Sequence, residues 1–326
     1  MLWNKTLLKE LLDSLSKSML NFLKKIFSIF LIFNLTFVSS AQAAAAATFV
    51  DSFSVEAQDS TPAGVAFNND GTKMFVIGSV NDDVYEYTLT TGFDVSSASF
   101  VDSFDISGQE TDPQDLAFNN DGTKMFVTGL VGDDVNEYTL TTGFDVSSAS
   151  FVDSFDISGQ ETDPQDLAFN NDGTKMFVTG LVGDDVNEYT LTTGFDVSSA
   201  SFVDSFDISG QETDPQDLAF NNDGTKMFVT GLVGDDVNEY TLTTGFDVSS
   251  ASFVDSFDIS SQERNPRDLV FNNDGTKMFV VGTTGDDVNE YTLFCPFAVT
   301  NSSKCEEPPQ DKDVTGIIDA QINTAK

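Results

Sequence analysis

Carboxylates are the side chains of this sequence whose spacing could do chemistry. The pair Asp133-Asp134 recurs as Asp184-Asp185 and Asp235-Asp236, each time 51 residues on. A second set recurs with it: Asp112 and Asp115, Asp163 and Asp166, Asp214 and Asp217, with Asp268 continuing the series. Clusters of oxygen donors suit Ca²⁺, which takes about six to eight oxygen ligands. Paired Asp residues can also divide the roles of general acid and base. No window matches the Ca²⁺ loop D-x-[DN]-x-[DN]-G-x₅-E, and the nearby Asn-Asn-Asp-Gly reads as a turn. The competing reading is a solvated acidic surface that keeps the chain soluble at some cost in self-repulsion.

The composition narrows the chemistry further. The 326 residues carry 15 Lys and Arg against 53 Asp and Glu, with no His, for a formal charge of −38. Such a chain cannot neutralise phosphates, which argues against nucleic acid and anionic lipid as partners. The absence of His removes Ser-His triads, His-ligated zinc and imidazole proton shuttles. An apolar content of 40%, with 31 Phe, is too rich for a disordered acidic chain and predicts a packed core.

Residues 1–43 read as an export signal. Lys24 and Lys25 precede an uncharged apolar run, Ile26 to Val38, and Ala41-Gln42-Ala43 is an A-x-A cleavage site. The stretch before Met19 makes the charged region unusually long, so Met19 is an alternative start. Cysteine usage agrees with export: Cys295 and Cys305 would close an 11-residue loop as a disulfide clasp over 294–305, contributing about 2–3 kcal/mol. Residues 306–326 read as a linker, followed either by the start of a helix or further domain or by a frayed end.

The repeat organises the rest. NNDGTKMFV begins at Asn68, Asn119, Asn170, Asn221 and Asn272, and segments 102–152, 153–203 and 204–254 are identical. One unit reads as four strands, Asp115–Asn119, Lys124–Thr128, Val135–Leu140 and Phe151–Ile157, with Tyr138 and Leu140 on one face. The last strand is expected to put Phe151, Phe155 and Ile157 on one face, and the Phe, Tyr and Met side chains to form the core. Four antiparallel strands in about 50 residues is the size of one propeller blade. The chain opens with a fourth-type strand, Thr48–Phe53, and its last copy ends at Leu293 without one. The first strand is therefore expected to complete the last blade of an all-β, five-bladed β-propeller over 48–293 and leave no open edge.

Pro113-Gln114-Asp115-Leu116-Ala117-Phe118, followed by Asn120-Asp121-Gly122-Thr123-Lys124-Met125-Phe126-Val127, resembles the blade signature of YVTN-type, NHL-type and lactonase-like β-propellers. The longer unit, with Glu137-Tyr138-Thr139-Leu140 and Phe144-Asp145-Val146-Ser147-Ser148-Ala149, is similar to repeats of exported bacterial propellers. The resemblance implies the fold. Lactonase-like members use His and Arg in a central site, whereas this chain has two Arg, Arg264 and Arg267, and no His.

Strand order then places Glu110, Asp112 and Asp115 at the same end of the ring as Asp133 and Asp134, with Arg264, Arg267 and Asp268 there in the fifth copy. A ring of carboxylates around the channel mouth is the expectation, with Asp133, Asp134, Asp184, Asp185, Asp235 and Asp236 as metal ligands and Asp112, Asp115, Asp163, Asp166, Asp214, Asp217 and Asp268 as binding residues. The leading functional expectation is a non-enzymatic, monomeric propeller, secreted, periplasmic or associated with the outer membrane. It would bind a protein or glycan at the cell surface, with Ca²⁺ as its cofactor. The alternative is a lactonase-like or carboxylate-based hydrolase with its site at the channel mouth.

Overall fold

Hairpin chemistry builds each unit. In Asn119-Asn120-Asp121-Gly122, Gly122 takes φ +68°, and a Cβ there would sit 2.3 Å from the Phe144 ring, so glycine is required twice over. The Asp121 carboxylate accepts the Thr123 N–H and hydroxyl and sets the turn. In the computed structural model, which describes residues 46–300, this hairpin and the two that follow it repeat through five four-stranded antiparallel sheets.

The first blade is β2 (Pro62–Phe67), β3 (Lys73–Gly78), β4 (Asp83–Leu89) and β5 (Ala98–Asp105). The second is β6 (Pro113–Phe118), β7 (Lys124–Gly129), β8 (Asp134–Leu140) and β9 (Ala149–Asp156). The third is β10 (Pro164–Phe169), β11 (Lys175–Gly180), β12 (Asp185–Leu191) and β13 (Ala200–Asp207), and the fourth is β14 (Pro215–Phe220), β15 (Lys226–Gly231), β16 (Asp236–Leu242) and β17 (Ala251–Asp258). The fifth runs β18 (Pro266–Phe271), β19 (Lys277–Gly282) and β20 (Asp287–Leu293), and its outer strand is β1 (Ala47–Ser54), which pairs with β20 from Ala47↔Leu293 to Ser54↔Asp287. The expected closure by the N-terminal strand is the observed one. In the first four blades a single 3-10 turn, such as Val146–Ser148, precedes the outer strand.

The first strand of each blade lies innermost and packs on its counterparts in both neighbouring blades. The core is accordingly divided between blades. Tyr138, Leu140, Met125 and Leu116 pack against Phe75 and Val84 of the preceding blade, while Phe126 and Val135 pack against Met176 and Tyr189 of the next. Tyr138 and Leu140 share a face as expected.

The outer strand departs from the expectation. A bulge sets Glu137↔Asp153 beside Tyr138↔Phe151 and leaves Val152 unpaired. The extra residue reverses side-chain parity. Phe151 therefore lies edge-on to Tyr138 of its own blade at 5.8 Å and is 44% exposed, while Phe155 lies edge-on to Tyr189 of the next blade at 5.9 Å.

The fifth unit continues past Leu293. Phe297 takes φ +50° against Gly275, as Phe144 does against Gly122, and the Val299 N–H bonds to Glu239 as the Val146 N–H bonds to Glu86. Residues 294–300 thus serve as the fifth copy of the turn between strands three and four. Cys295 lies in this segment. Its expected partner Cys305, the signal at 1–43 and the tail 306–326 lie outside the described residues.

Candidate functional site: the acidic channel and its mouth

The channel is lined by the five innermost strands, and its features repeat at three levels. At the end formed by the loops joining strands one and two, Asn69 Nδ2 donates to the Asn120 carbonyl, Asn120 to Asn171, Asn171 to Asn222 and Asn222 to Asn273, at 2.6–2.8 Å. Asn273 donates back to Asn69 and closes the circle. The second Asn of each NNDG turn thus belongs to a closed ring of amides as well as to a hairpin.

Midway along the channel stand Asp115, Asp166, Asp217 and Asp268, each 4% exposed or less. In the first blade this position is Gly64. Each Asp is at the head of an innermost strand and faces the next blade. Leu167 N–H donates to Asp115 Oδ2 at 3.2 Å and Leu218 N–H to Asp166 Oδ2 at 3.1 Å, while Val65 N–H donates to Asp268 Oδ2. Asp217 breaks the series, because its buried Oδ2 takes no such N–H from the next blade. Oxygens of Asp115, Asp166 and Asp268 lie within 4.8 Å of one another. Burial pushes all four carboxyls above the ordinary carboxylate range, and for Asp115 and Asp217 the neighbouring carboxylates push further in the same direction. Gly64 leaves the room that Asp115 uses, since a Cβ there would lie 2.7 Å from Asp115 Oδ1 and 2.9 Å from Ile77 Cγ2. Below the ring is a cavity of about 350 Å³, walled by segments such as Leu116–Phe118 and Leu167–Phe169.

Above the ring is the mouth, a depression of about 450 Å³ lined by Thr61, Asp112, Gln114, Asp163, Gln165 and Arg267 among others. Every innermost strand carries a bulge here. Pro113 pairs with Gly129 and Asp115 with Thr128, so Gln114 is the extra residue; the same count makes Ala63, Gln165, Gln216 and Arg267 extra in the other blades. Bulges re-aim a side chain out of the sheet pattern. The glutamines are held in place: Gln165 Nε2 donates to Asp163 Oδ1 at 2.8 Å, Gln114 Nε2 to Asp112 Oδ1 at 3.0 Å, and Gln216 Nε2 to Asp214 Oδ1 at 2.9 Å. Arg267 donates to Gln216 Oε1 across the blade boundary. Arg264 turns away, with its Nε donating to the Ser260 carbonyl at 3.3 Å.

The structure therefore separates the carboxylates that the sequence grouped together. Asp115, Asp166, Asp217 and Asp268 converge on the axis, and Asp112, Asp163 and Asp214 hold the mouth glutamines. Glu110 is buried beneath the loop, where it accepts the Asp112 N–H at 2.7 Å and the Val131 N–H at 3.2 Å. Asp133 and Asp134 are at the same end of the blade, as the Leu130 N–H bond to the Asp112 carbonyl shows, but farther out, where Asp134 pairs with Asp156 of the outer strand. Asp133 takes the left-handed turn conformation at φ +52°, which Asp tolerates, and the Asp134 carboxylate accepts Asn136 Nδ2 at 2.8 Å. Asp184, Asp185, Asp235 and Asp236 repeat this arrangement. Among the described residues, these pairs do not converge into a group of three or more acids, whereas Asp115, Asp166 and Asp268 do.

No family model and no curated protein matches the chain. Among solved structures it is similar to a functionally unknown protein from Desulfotomaculum acetoxidans, at 16% identity over 72% of this chain and 68% of that one, with a TM-score of 0.46. It is also similar to the periplasmic gluconolactonase PpgL of Pseudomonas aeruginosa, at 16% identity over 71% and 66% of the two chains and a TM-score of 0.43. The Cps50 (Swd1) β-propeller domain of Myceliophteria thermophila matches at 10% identity over 76% and 99%, with a TM-score of 0.44. At these identities the likeness is one of chain path, and no chemistry is transferred from it.

Proposed function

We propose that this chain is an exported, non-enzymatic binding propeller whose ligand sits in the mouth above the carboxylate ring. The reading rests on one observation: four of the five innermost bulges place Gln114, Gln165, Gln216 and Arg267 at the mouth, and each Gln amide is oriented by a carboxylate two residues before it. Side chains held by packing and second partners lose little entropy on binding. An oriented amide beside a carboxylate offers a donor and acceptors at fixed spacing, a pattern that matches ligand hydroxyls. The chemistry therefore favours a hydroxyl-rich ligand, a glycan at the cell surface, over a protein surface.

Glycan-array binding by the full chain tests this reading. Gln165→Ala combined with Arg267→Ala is expected to abolish binding without altering the melting temperature by more than about 2 °C. Retained binding in that variant moves the site elsewhere. Turnover of lactones or glycosides that Asp166→Asn abolishes would replace the binding role with the hydrolase alternative.

A further inference from the structure

We propose that the carboxylate ring of the channel is a divalent-cation site, with Asp115, Asp166 and Asp268 as ligands and Asp217 beside them in the same ring. Oxygens of the first three are within 4.8 Å of one another, a spacing that one Ca²⁺ spans with bonds of about 2.3–2.6 Å. The second, independent observation is Asp217 itself. It is 1% exposed and lines the same cavity, yet its Oδ2 takes no N–H donor, and the side chain is set against the carboxyls of Asp268 and Asp166. In Asp115, Asp166 and Asp268 the corresponding oxygen takes a backbone N–H from the next blade. Buried carboxyl oxygens set against one another need a shared proton or a cation between them, and the ion is the partner that a ring of four such groups accommodates at one point.

The donor set identifies the ion class. Oxygen-only ligands select hard cations over Zn²⁺ or Cu²⁺. Four carboxylates on five positions cannot present a regular octahedron, which disfavours Mg²⁺ and suits the adaptable shell of Ca²⁺. The missing fifth carboxylate, at Gly64, and the cavity of about 350 Å³ beneath the ring leave room for water to complete the coordination. This site is distinct from the outer loop pairs typified by Asp133-Asp134, and it does not depend on what the mouth binds, because the ion alone is the probe.

Calorimetric titration of the chelator-stripped full chain with CaCl₂, at fixed ionic strength and against MgCl₂, tests the assignment. One Ca²⁺ per chain is expected, with the melting temperature raised by about 5 °C at saturation. Asp166→Asn and Asp268→Asn are expected to weaken binding at least about tenfold. Their metal-free melting temperatures should equal or exceed that of the unaltered chain, because Asn removes a repelling charge; this separates loss of the site from loss of the fold. Asp134→Asn with Asp185→Asn should leave the titration unchanged. The assignment is overturned if the folded chain takes up no Ca²⁺, if the ring variants bind as the parent does, or if the loop variants lose the ion.

Discussion

Glu137 in the second blade accepts the backbone N–H of Val197 in the third at 3.1 Å, while its other oxygen accepts Lys124 Nζ at 2.6 Å. Lys124 donates in turn to the carbonyl of Phe195, so both members of the pair are anchored to the same turn of the neighbouring blade. The Lys-Glu pair repeats in all five blades, from Lys73-Glu86 to Lys277-Glu290, and the last pair reaches the Val95 N–H and the Phe93 carbonyl of the first blade. Lys124→Met should destabilise the chain more than Glu137→Gln. The first leaves a carboxylate buried and uncompensated, at a cost of about 3 kcal/mol. The second keeps an acceptor for Val197 and leaves the partly exposed ammonium to water, at about 1 kcal/mol. Urea unfolding followed by tryptophan-independent circular dichroism compares them, and the reverse order would mean that the ion pair is not what joins the blades.

Stability should fall as pH rises through neutrality. Burial pushes the carboxyls of Glu161 and Glu212 up from 4.5 to about 7. Between those values the unfolded chain has released protons that the folded chain still holds, so raising the pH favours unfolding. This contribution is complete below about pH 4.5 and is lost as pH passes 7. Melting temperatures at constant ionic strength should decline from pH 5 to about pH 7, within the window of those shifts. The double variant Glu161→Gln, Glu212→Gln should make the decline shallower, the remainder belonging to the ring carboxyls of Asp166 and Asp268, and an unchanged slope would assign all of it to other groups.

Restoring the fifth carboxylate should not improve the ring. In Gly64→Asp the new Cβ would begin 2.7 Å from Asp115 Oδ1 and 3.0 Å from its Cα. Overpacking of this kind costs about 1–3 kcal/mol. A melt of the metal-free variant at or above the parent's would show that the gap is not needed by Asp115.

Removing residues 1–54, and with them β1, should open the fifth blade. Phe49 lies edge-on to Tyr291 at 5.8 Å, and the whole of β20 would become a free edge. Light scattering is expected to show association of the shortened chain, and a synthetic ATFVDSFS peptide is expected to restore a particle of one chain. A stable monomer without the strand would contradict the closure argument.

Much of the fold could be read from local chemistry. Asn-Asn-Asp-Gly demands a hairpin, alternation in Val135–Leu140 demands a half-buried strand, and the unpaired first and last strands demand each other. The bulges at Gln114 and Val152 could not be read in the same way. A bulge is a two-against-one register choice between strands, and neither residue type requires it. The channel carboxylates were named as binding residues, but the sequence could not distinguish them from the outer pairs, because both recur with one period. Only the direction of the innermost strand separates axis from rim. The second Asn of each turn and the Lys124-Glu137 pair were absorbed into hairpin and strand, since their partners lie a blade away.

The closing strand also determines how the ring would respond to load. Ala47 pairs with Leu293, so the start of β1 and the end of β20 emerge side by side. A pull that separates them acts across the ladder and loads its bonds one at a time, starting at Ala47↔Leu293 and ending at Ser54↔Asp287. This is peeling, in which each bond fails alone, whereas in shear all of them resist together. Held by both flanks, the ring would open at this seam at low force while the other four blades stayed folded. Held by one flank, it would carry no tension at all.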